Sequence, residues 1–256
     1  MHRGGNSRAT REIEHGRMLA ADDTERAWGW GTPAGRCRAR RRAGLIAAGA
    51  GLGPGVKALE IGCGTGLFTE MFARTGASIL AVDISPDLLQ KARQRNLPPD
   101  RVRFVESRFE GCAAEGPFDA VVGSSVLHHL DLDQALARIF ELLLPGGRMS
   151  FAEPNMLNPQ VFLERKARCL RPLFPYVSPD ETAFVRGRLR ARLAQVGFRD
   201  VGITPFDFLH PATPRRLMGV VERLGKWLER VPALREFSGS LQIRARRPSR
   251  GGHTGG

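Results

Sequence analysis

Short apolar runs alternate with longer amphipathic stretches through the middle of this chain. Five runs bounded by glycine, proline or polar residues predict buried strands, at residues 57–61, 78–82, 102–105, 118–122 and 148–152. Helices are predicted at residues 36–51, an arginine-rich and then alanine-rich run, and at residues 66–75. Ser85 followed by Pro86 predicts the N-cap of a helix to about Asn96, and Asp131 opens a helix with apolar residues at helical spacing up to Leu143. This alternation is typical of a parallel sheet with helices on both of its faces.

The pattern changes after residue 154. Residues 154–178 are proline-rich without a clean period and predict an irregular insertion. Ser178 to Glu181 form a capping box that predicts a helix ending near Val196. Two further strands and one helical stretch are predicted at residues 198–204, 238–245 and 213–235. We therefore predict an α/β fold with a doubly wound, seven-stranded, mostly parallel sheet in a three-layer α/β/α arrangement.

The length of 256 residues suits one domain with additions. We predict a single domain over residues 21–246, with a donor half at about 55–153 and an acceptor or lid half at about 154–237. The polar, glycine- and arginine-rich segments 1–20 and 247–256 are predicted to be disordered. No run of about 18 apolar residues predicts a membrane span, and the polar N-terminus does not resemble a secretory signal.

The four scattered cysteines form no CxxC pair and no cluster at metal-ligand spacing, so we expect no metal site, no disulfide framework and a cytoplasmic location. The net charge is +13, with a mildly acidic centre and basic flanks. Two explanations remain open for the flanks. One is an anionic partner, and the other is codon bias, because almost all of the 39 basic residues are arginine.

The most informative motif is Glu60-Ile61-Gly62-Cys63-Gly64-Thr65-Gly66, between a predicted strand and a predicted helix. Glycines at this point let the backbone turn tightly toward a ligand at the helix N-terminus. The G-x-G-x-G spacing with a preceding acid disfavours a nicotinamide site, which uses G-x-G-x-x-G. Asp83 ends the next strand, where a carboxylate can accept hydrogen bonds from both hydroxyls of a ribose.

ALEIGCGTGLFT, AVDIS, FDAVVGSSVLHHL and LLPGGRMSFAEP, in that order from about Val56 to Pro154, resemble the class I S-adenosylmethionine-dependent methyltransferases. Among them the small-molecule group that includes the ubiquinone/menaquinone C-methyltransferases is the most similar. The resemblance implies a Rossmann-like fold, strand order 3-2-1-4-5-7-6 with an antiparallel seventh strand, and S-adenosylmethionine as cofactor.

The same resemblance assigns residues to the methyl donor. It implies that Glu60, Gly62, Gly64 and Gly66 hold the methionine part. Asp83 would hold the ribose and Ile84 would lie against the adenine, while Ser124 would contact the donor through its backbone. Where the family usually has an acid that contacts the adenine amino group, this chain has Ser107-Arg108, so the adenine contact is expected from the backbone there.

The acceptor side is predicted from the rule that ligands bind at the carboxyl ends of parallel strands. His129, Asp207 and His210 follow predicted strands and are the candidate catalytic residues. His128 and His129 have either a structural or donor-lining role or, for one of them, an acid–base role. His210 is either catalytic or a packing or hydrogen-bonding residue of its loop, and Glu153 is either a base or an ion-pair partner. Trp28 and Trp30 either cover the site as a lid or pack on the core.

An apolar and basic segment, residues 217–234, allows two interpretations. It is an ordinary amphipathic helix packed on the domain, or a lid that admits an amphiphilic acceptor at an anionic membrane surface. We expect methyl transfer to a small-molecule, lipid or glycan acceptor, with no specific nucleic acid bound. The alternatives are a nucleic-acid methyltransferase, for which neither an Asn-Pro-Pro-Tyr-type motif nor a Pro-Cys pair is present, and a non-catalytic protein that binds S-adenosylmethionine.

Overall fold

The computed structural model describes residues 4–21, 23–112, 116–166 and 183–249. The described strands are β1 (Lys57–Ile61), β2 (Ser78–Asp83), β3 (Val102–Glu106), β4 (Phe118–Ser124), β5 (Leu143–Pro154), β6 (Arg199–Phe206) and β7 (Ser240–Arg246). The described α-helices are α1 (Gly4–Ala21), α2 (Thr24–Ala27), α3 (Pro33–Ala50), α4 (Leu67–Ala73), α5 (Pro86–Arg93), α6 (Leu132–Leu142), α7 (Pro159–Lys166), α8 (Arg186–Val196), α9 (Met218–Leu228) and α10 (Pro232–Arg235).

The seven strands form one sheet in the order β3-β2-β1-β4-β5-β7-β6. Strands β1 to β5 pair in parallel, and β7 lies antiparallel between β5 and β6. Both the predicted α/β sheet and the strand order that the family resemblance implied are therefore confirmed.

Helices cover both faces of the sheet. One apolar layer contains Leu136 and Ile139 of α6 with Leu193 of α8, and the other contains Ile46 of α3 and Phe72 of α4. Local sequence signals set several helix ends. Thr32, Ser85 and Asp131 cap the N-termini of α3, α5 and α6 through their side-chain oxygens, as the predicted caps of α5 and α6 required.

The topology brings polar segments to one edge of the sheet. The carboxyl ends of β1, β2, β4 and β5 lie there because these strands run in parallel. β6 also ends there, since it is antiparallel to β7, and β7 begins there, with Ser240 opposite both Pro154 and Phe206. None of the helices in the described part of the chain is long and apolar enough to cross a membrane.

The predicted disorder of residues 1–20 is wrong for the described part of that segment, because residues 4–21 form α1. The helix packs on α5, where Gly16 lies against Ser85 and Arg17 faces Asp87 at 3.8 Å. Composition alone missed this helix because small and charged residues, rather than an apolar stripe, make its contacts.

Three further predictions need correction. The helix predicted from the capping box does not include residues 183–185, since Phe184 forms a β-bridge with Asn155 and α8 begins only at Arg186. The insertion predicted to be irregular contains α7 (Pro159–Lys166), and its residues from 167 on, like residues 178–181, lie outside the described residues. The helical stretch 213–235 is interrupted after α9, where Pro232 begins α10.

The disordered tail predicted for residues 247–256 begins too early in the chain, because Arg247 is held by the domain. Arg247 donates to the backbone oxygens of Phe140, Glu141 and Leu143, and its guanidinium lies 5.0 Å from the centre of the Phe140 ring. Residues 250–256 lie outside the described residues.

Candidate functional site

A cavity of about 1340 Å³ lies at the polar edge of the sheet. Its wall includes the glycine turn after β1, the ends of β2 and β4, and the segment after β6. Pockets for a single drug-sized ligand usually span about 300–1,000 Å³. The cavity is therefore large enough for two ligands side by side.

The glycine turn at one end of the cavity has a backbone that only glycine adopts easily. Gly62 and Gly64 have φ angles of 66° and 52°. A Cβ at Gly62 would lie 2.4 Å from Val126, so a side chain there would collide with the loop after β4. The turn continues into α4, and the N–H groups of Gly62 and Cys63 donate to Val82 O, which fixes the turn against the end of β2.

Asp83 closes this turn against the end of β2. Its carboxylate accepts hydrogen bonds from Gly64 N at 2.8 Å and Ser85 N at 2.9 Å, one on each oxygen. Burial raises the pKa of Asp83, and these backbone N–H groups oppose the rise. Each oxygen keeps acceptor capacity for another donor, such as one hydroxyl of a ribose.

Four other predicted donor residues also line the cavity: Ile84, Ser107, Arg108 and Ser124. Ser107 N donates to Asp83 O at 3.0 Å, which fixes the loop after β3 beside the end of β2. The structure thus brings most of the predicted donor residues to one end of the cavity.

Glu60 and Gly66 lie outside the cavity wall. Glu60 is fully buried, and burial raises its pKa to about 8. A Cβ at Gly66 would lie 3.1 Å from Ala92 of α5, so this glycine permits close packing of α4 on α5. Direct contact of either residue with a ligand stays a prediction.

A buried arginine connects the two ends of the cavity. Arg42 of α3 donates to Ser125 Oγ at 2.9 Å, to Ala152 O at 3.1 Å and to Ser240 Oγ at 2.5 Å. Burial, reinforced by the positive charge of Arg38, lowers its pKa to about 10. Arg42 therefore stays protonated at neutral pH and ties α3 to the ends of β4, β5 and β7.

At the other end of the cavity, Asp207 and His210 lie close together, as predicted. Asp207 has a positive φ of 79° and forms an ion pair with Arg38, whose Nε lies 2.8 Å from its Oδ2. Ala212 N donates to His210 Nδ1 at 3.1 Å, and His210 Nε2 lies 3.1 Å from the side-chain amide nitrogen of Gln160. Burial and then Arg38 lower the pKa of His210, so the ring is neutral at pH 7.

The adjacent histidines have different surroundings. His128 is buried, and its Nδ1 lies 2.6 Å from Glu153 Oε2. The other Glu153 oxygen accepts from the backbone N–H groups of Val126 and Leu127, both at 2.9 Å. Glu153 therefore shapes the loop after β4, which favours a structural role for His128. Burial raises the pKa of this carboxyl.

His129 is the more accessible histidine. Its Nδ1 lies 3.2 Å from Glu12 Oε2, and its side chain is 24% exposed. Glu12 comes from α1, so the residue that contacts His129 belongs to a segment that sequence patterning predicted to be disordered. Both residues line the cavity.

The N-terminal segment forms one side of the cavity. Trp28 lies over the glycine turn, with its ring 3.2 Å from where a Cβ at Gly64 would be, while Trp30 is buried and packs edge-on against Phe68. Arg95 links this segment to the domain through Glu25 and, at 2.7 Å, Glu70. Trp28 therefore fits the interpretation of a lid over the site, and Trp30 fits the interpretation of a side chain packed on the core.

Sequence patterning missed Glu12, Arg38 and Arg42 as residues of the site. Arg38 and Arg42 lie in the run RCRARRR, which is typical of a solvated helix face. Their spacing of four residues on one helix side was the available signal. No group of three or more potential metal ligands occurs among the residues that the structure describes.

Residues 59–149 match the protein family described as Methyltransferase domain. Nodulation protein S of Rhizobium tropici is 29% identical over 148 residues, which cover 56% of this chain and 60% of that protein. Ubiquinone biosynthesis O-methyltransferase of Xanthomonas campestris is 38% identical over 106 residues, which cover 40% and 44%. The chain thus spans about half the length of the curated relatives it matches.

Solved structures share the fold over more of the chain. The N-methyltransferase NodS from Bradyrhizobium japonicum, in complex with S-adenosylhomocysteine, aligns with a TM-score of 0.63 at 18% identity, covering 93% of this chain and 98% of that one. Phosphoethanolamine N-methyltransferase 2 of Haemonchus contortus, in complex with S-adenosylmethionine, aligns with a TM-score of 0.60 at 15% identity, covering 82% and 52%.

Proposed function

We propose that this chain is a class I S-adenosylmethionine-dependent methyltransferase that transfers the methyl group of that cofactor to a small-molecule acceptor. The observation that carries the proposal is one cavity with two chemically distinct ends. One end holds the glycine turn and Asp83, and the other holds Asp207 and His210. Because both ends share one cavity, two ligands bound there can meet.

The donor end suits S-adenosylmethionine, which supplies a methyl group already activated on a sulfonium sulfur. Asp83 would accept the ribose hydroxyls, and Gly62 and Gly64 would let the methionine part approach the backbone. Ile84 provides an apolar surface beside Ser107 and Arg108 for the adenine. The backbone of Ser124 and the indole ring of Trp28 would complete the wall around the reacting carbon.

The side chains proposed to act on the acceptor divide into binding and proton-transfer roles. The neutral ring of His210, whose Nε2 lies 3.1 Å from the side-chain amide of Gln160, would line the acceptor site. Asp207 holds Arg38 in place, which directs a positive charge into the cavity. His129, oriented by Glu12, is the group placed to remove a proton from an amine or hydroxyl nucleophile. Methyl transfer otherwise depends mainly on alignment of the two ligands.

We propose an oxygen or nitrogen nucleophile on a small polar or amphiphilic molecule. The relatives support this class, since one is an O-methyltransferase and a structural neighbour is an N-methyltransferase. A cytoplasmic location is part of the proposal and is supported by the free thiols of Cys37, Cys63 and Cys112. Peripheral contact with a membrane is also part of the proposal, and the exposed apolar residues on α9 support it.

The test compares donor affinity with turnover in three variants, His129→Gln, Asp207→Asn and His210→Gln. Calorimetry measures S-adenosylhomocysteine binding, and mass spectrometry follows transfer of an isotopically labelled methyl group in a cell extract. We expect intact donor affinity and at least about tenfold slower transfer. The exposed Asp100→Asn variant is the control and should behave like the wild type.

Two results would contradict this assignment. Normal transfer in all three variants would mean that other residues position the acceptor. Tight binding of S-adenosylhomocysteine with no methylated product from any extract would instead favour the non-catalytic alternative.

A further inference from the structure

Helix α9 packs on the domain through a face of mixed character. Its inward residues are Glu222, Gly225 and Glu229, with the partly buried apolar side chains of Met218, Val221 and Leu228 beside them. Cys37 donates to Glu222 at 3.0 Å, and Arg41 forms a two-pronged ion pair with Glu229 at 2.8 and 2.5 Å. Gly225 is buried against Phe208, whose Cβ lies 3.2 Å from where a glycine Cβ would be. The domain therefore holds α9 by polar and close backbone contacts.

Three apolar residues of α9 point the opposite way. A helix advances about 100° per residue, so residues 220, 224 and 227 lie roughly opposite residues 222, 225 and 229. Val220, Leu224 and Trp227 are 56%, 55% and 54% exposed, and Leu217 at the helix start is 47% exposed. The apolar side of α9 is therefore only partly packed on the domain, whereas an ordinary amphipathic helix would turn its whole apolar stripe to the core.

A row of cations borders this apolar stripe. Arg216, Arg223 and Arg230 recur every seven residues, which places them along one side of the helix and its two ends. All three are exposed, and none forms an ion pair within the part of the chain that the structure describes. Arg223 bonds only to Gly219 O, at 3.2 Å. An apolar stripe beside a cationic row is the pattern of a helix that lies in a membrane interface.

We propose that this surface, formed by Leu217, Val220, Leu224 and Trp227 with the arginine row, docks on an anionic lipid bilayer. Charge complementarity favours an anionic bilayer as the partner of this surface. The unpaired guanidinium groups match anionic headgroups, and the apolar side chains enter the boundary between the headgroups and the acyl chains. Pairing of the same surface with a second copy would bring like-charged arginine rows close together.

Helix α9 lies between the docking surface and the acceptor end of the cavity. Phe208, beneath Gly225, is also part of the cavity wall, together with His210. A chain docked through α9 therefore holds its acceptor end near the bilayer, which suits an amphiphilic acceptor. This inference rests on the peripheral membrane contact proposed above, but lipid binding itself requires neither donor nor acceptor.

The experiment is co-sedimentation of the purified chain with vesicles of phosphatidylcholine, with and without phosphatidylglycerol. We expect binding only to the anionic vesicles, weakening as salt screens the arginine charges. Leu224→Glu combined with Trp227→Ser should lower partitioning by at least about tenfold, and so should the triple change of Arg216, Arg223 and Arg230 to Gln. The control changes Arg188, Arg190 and Arg192 of α8 to Gln, with the same loss of charge, and should retain binding.

Equal binding of all these variants, or no preference for anionic vesicles, would overturn the proposal. A dimer in analytical ultracentrifugation that Leu224→Glu dissociates would do the same and assign the surface to a second copy. Thermal unfolding and S-adenosylhomocysteine affinity, measured without vesicles, verify that each variant is folded. A wild-type chain that binds vesicles but not S-adenosylhomocysteine would refute the proposed function and leave the docking inference standing.

Discussion

At the scale of single residues, Asp83 connects the glycine turn to the start of α5 through one carboxylate. We expect Asp83→Ala to weaken S-adenosylhomocysteine binding by about 1.5–3 kcal/mol, because charge-assisted bonds to the ribose are lost. Calorimetry measures this change, and NAD should not bind to the wild type. Unchanged affinity in a folded variant would remove Asp83 from the donor site.

Glu60 carries a buried carboxyl group, and we expect this group to affect the free energy of unfolding. Its pKa of about 8 in the folded protein exceeds the ordinary value of a glutamate. At a pH between these two pKa values, folding is therefore accompanied by the binding of a proton. Its stabilising contribution is therefore fully present below the ordinary pKa and is lost as the pH rises toward 8. One proton taken up changes the free energy of unfolding by about 1.4 kcal/mol per pH unit.

We accordingly expect Glu60→Gln to gain stability relative to the wild type as the pH rises from 5 to 8. Urea unfolding of both proteins at the two pH values measures the difference. A difference in unfolding free energy that does not vary with pH would show that Glu60 is already ionised in the folded protein.

At the scale of elements, α1 rests on α5 through one close contact. A Cβ at Gly16 would lie 2.5 Å from Ser85 Oγ, so we expect Gly16→Leu to displace α1 from α5. Donor affinity should then fall by about tenfold, because Glu12 and the rest of this wall move away from the cavity. Calorimetry with S-adenosylhomocysteine checks this.

The matched control is Gly44→Ala on α3, where nothing lies within 4 Å of the added Cβ. That change should stabilise the protein by about 0.5–1 kcal/mol and leave donor affinity alone. If Gly16→Leu also binds the donor normally, α1 does not contribute to the donor site.

At the scale of the whole molecule, the net charge of +13 raises the question of nucleic acid. We expect only weak, non-specific binding of DNA or RNA that falls steeply with salt, since counterion release governs such contacts. Fluorescence anisotropy with labelled oligonucleotides across a salt series measures it. A sequence-selective nanomolar complex at physiological salt would overturn the small-molecule proposal.

Local patterning predicted most of the sheet and the donor end. Strand β1 matches its prediction at both ends, and the caps at Ser85 and Asp131 are where the sequence placed them. These features depend on neighbours in the chain, because a buried strand, a helix cap and a glycine turn each have a local signal. The resemblance to class I methyltransferases came from the same ordered motifs, and the strand order that it implied is confirmed.

Long-range packing decided the rest. Which arginines of α3 are buried depends on where β4, β5 and β7 end, so no local pattern separates Arg42 from its neighbours. The charged partners of α1 lie far along the chain, which made the segment resemble a disordered one. The sequence by itself determined the class of fold and the donor motif, through short-range periodicity and turn chemistry. Only the tertiary structure decided the buried cation, the pairing of Glu12 with His129 and the outward apolar face of α9, because each depends on contacts between distant segments.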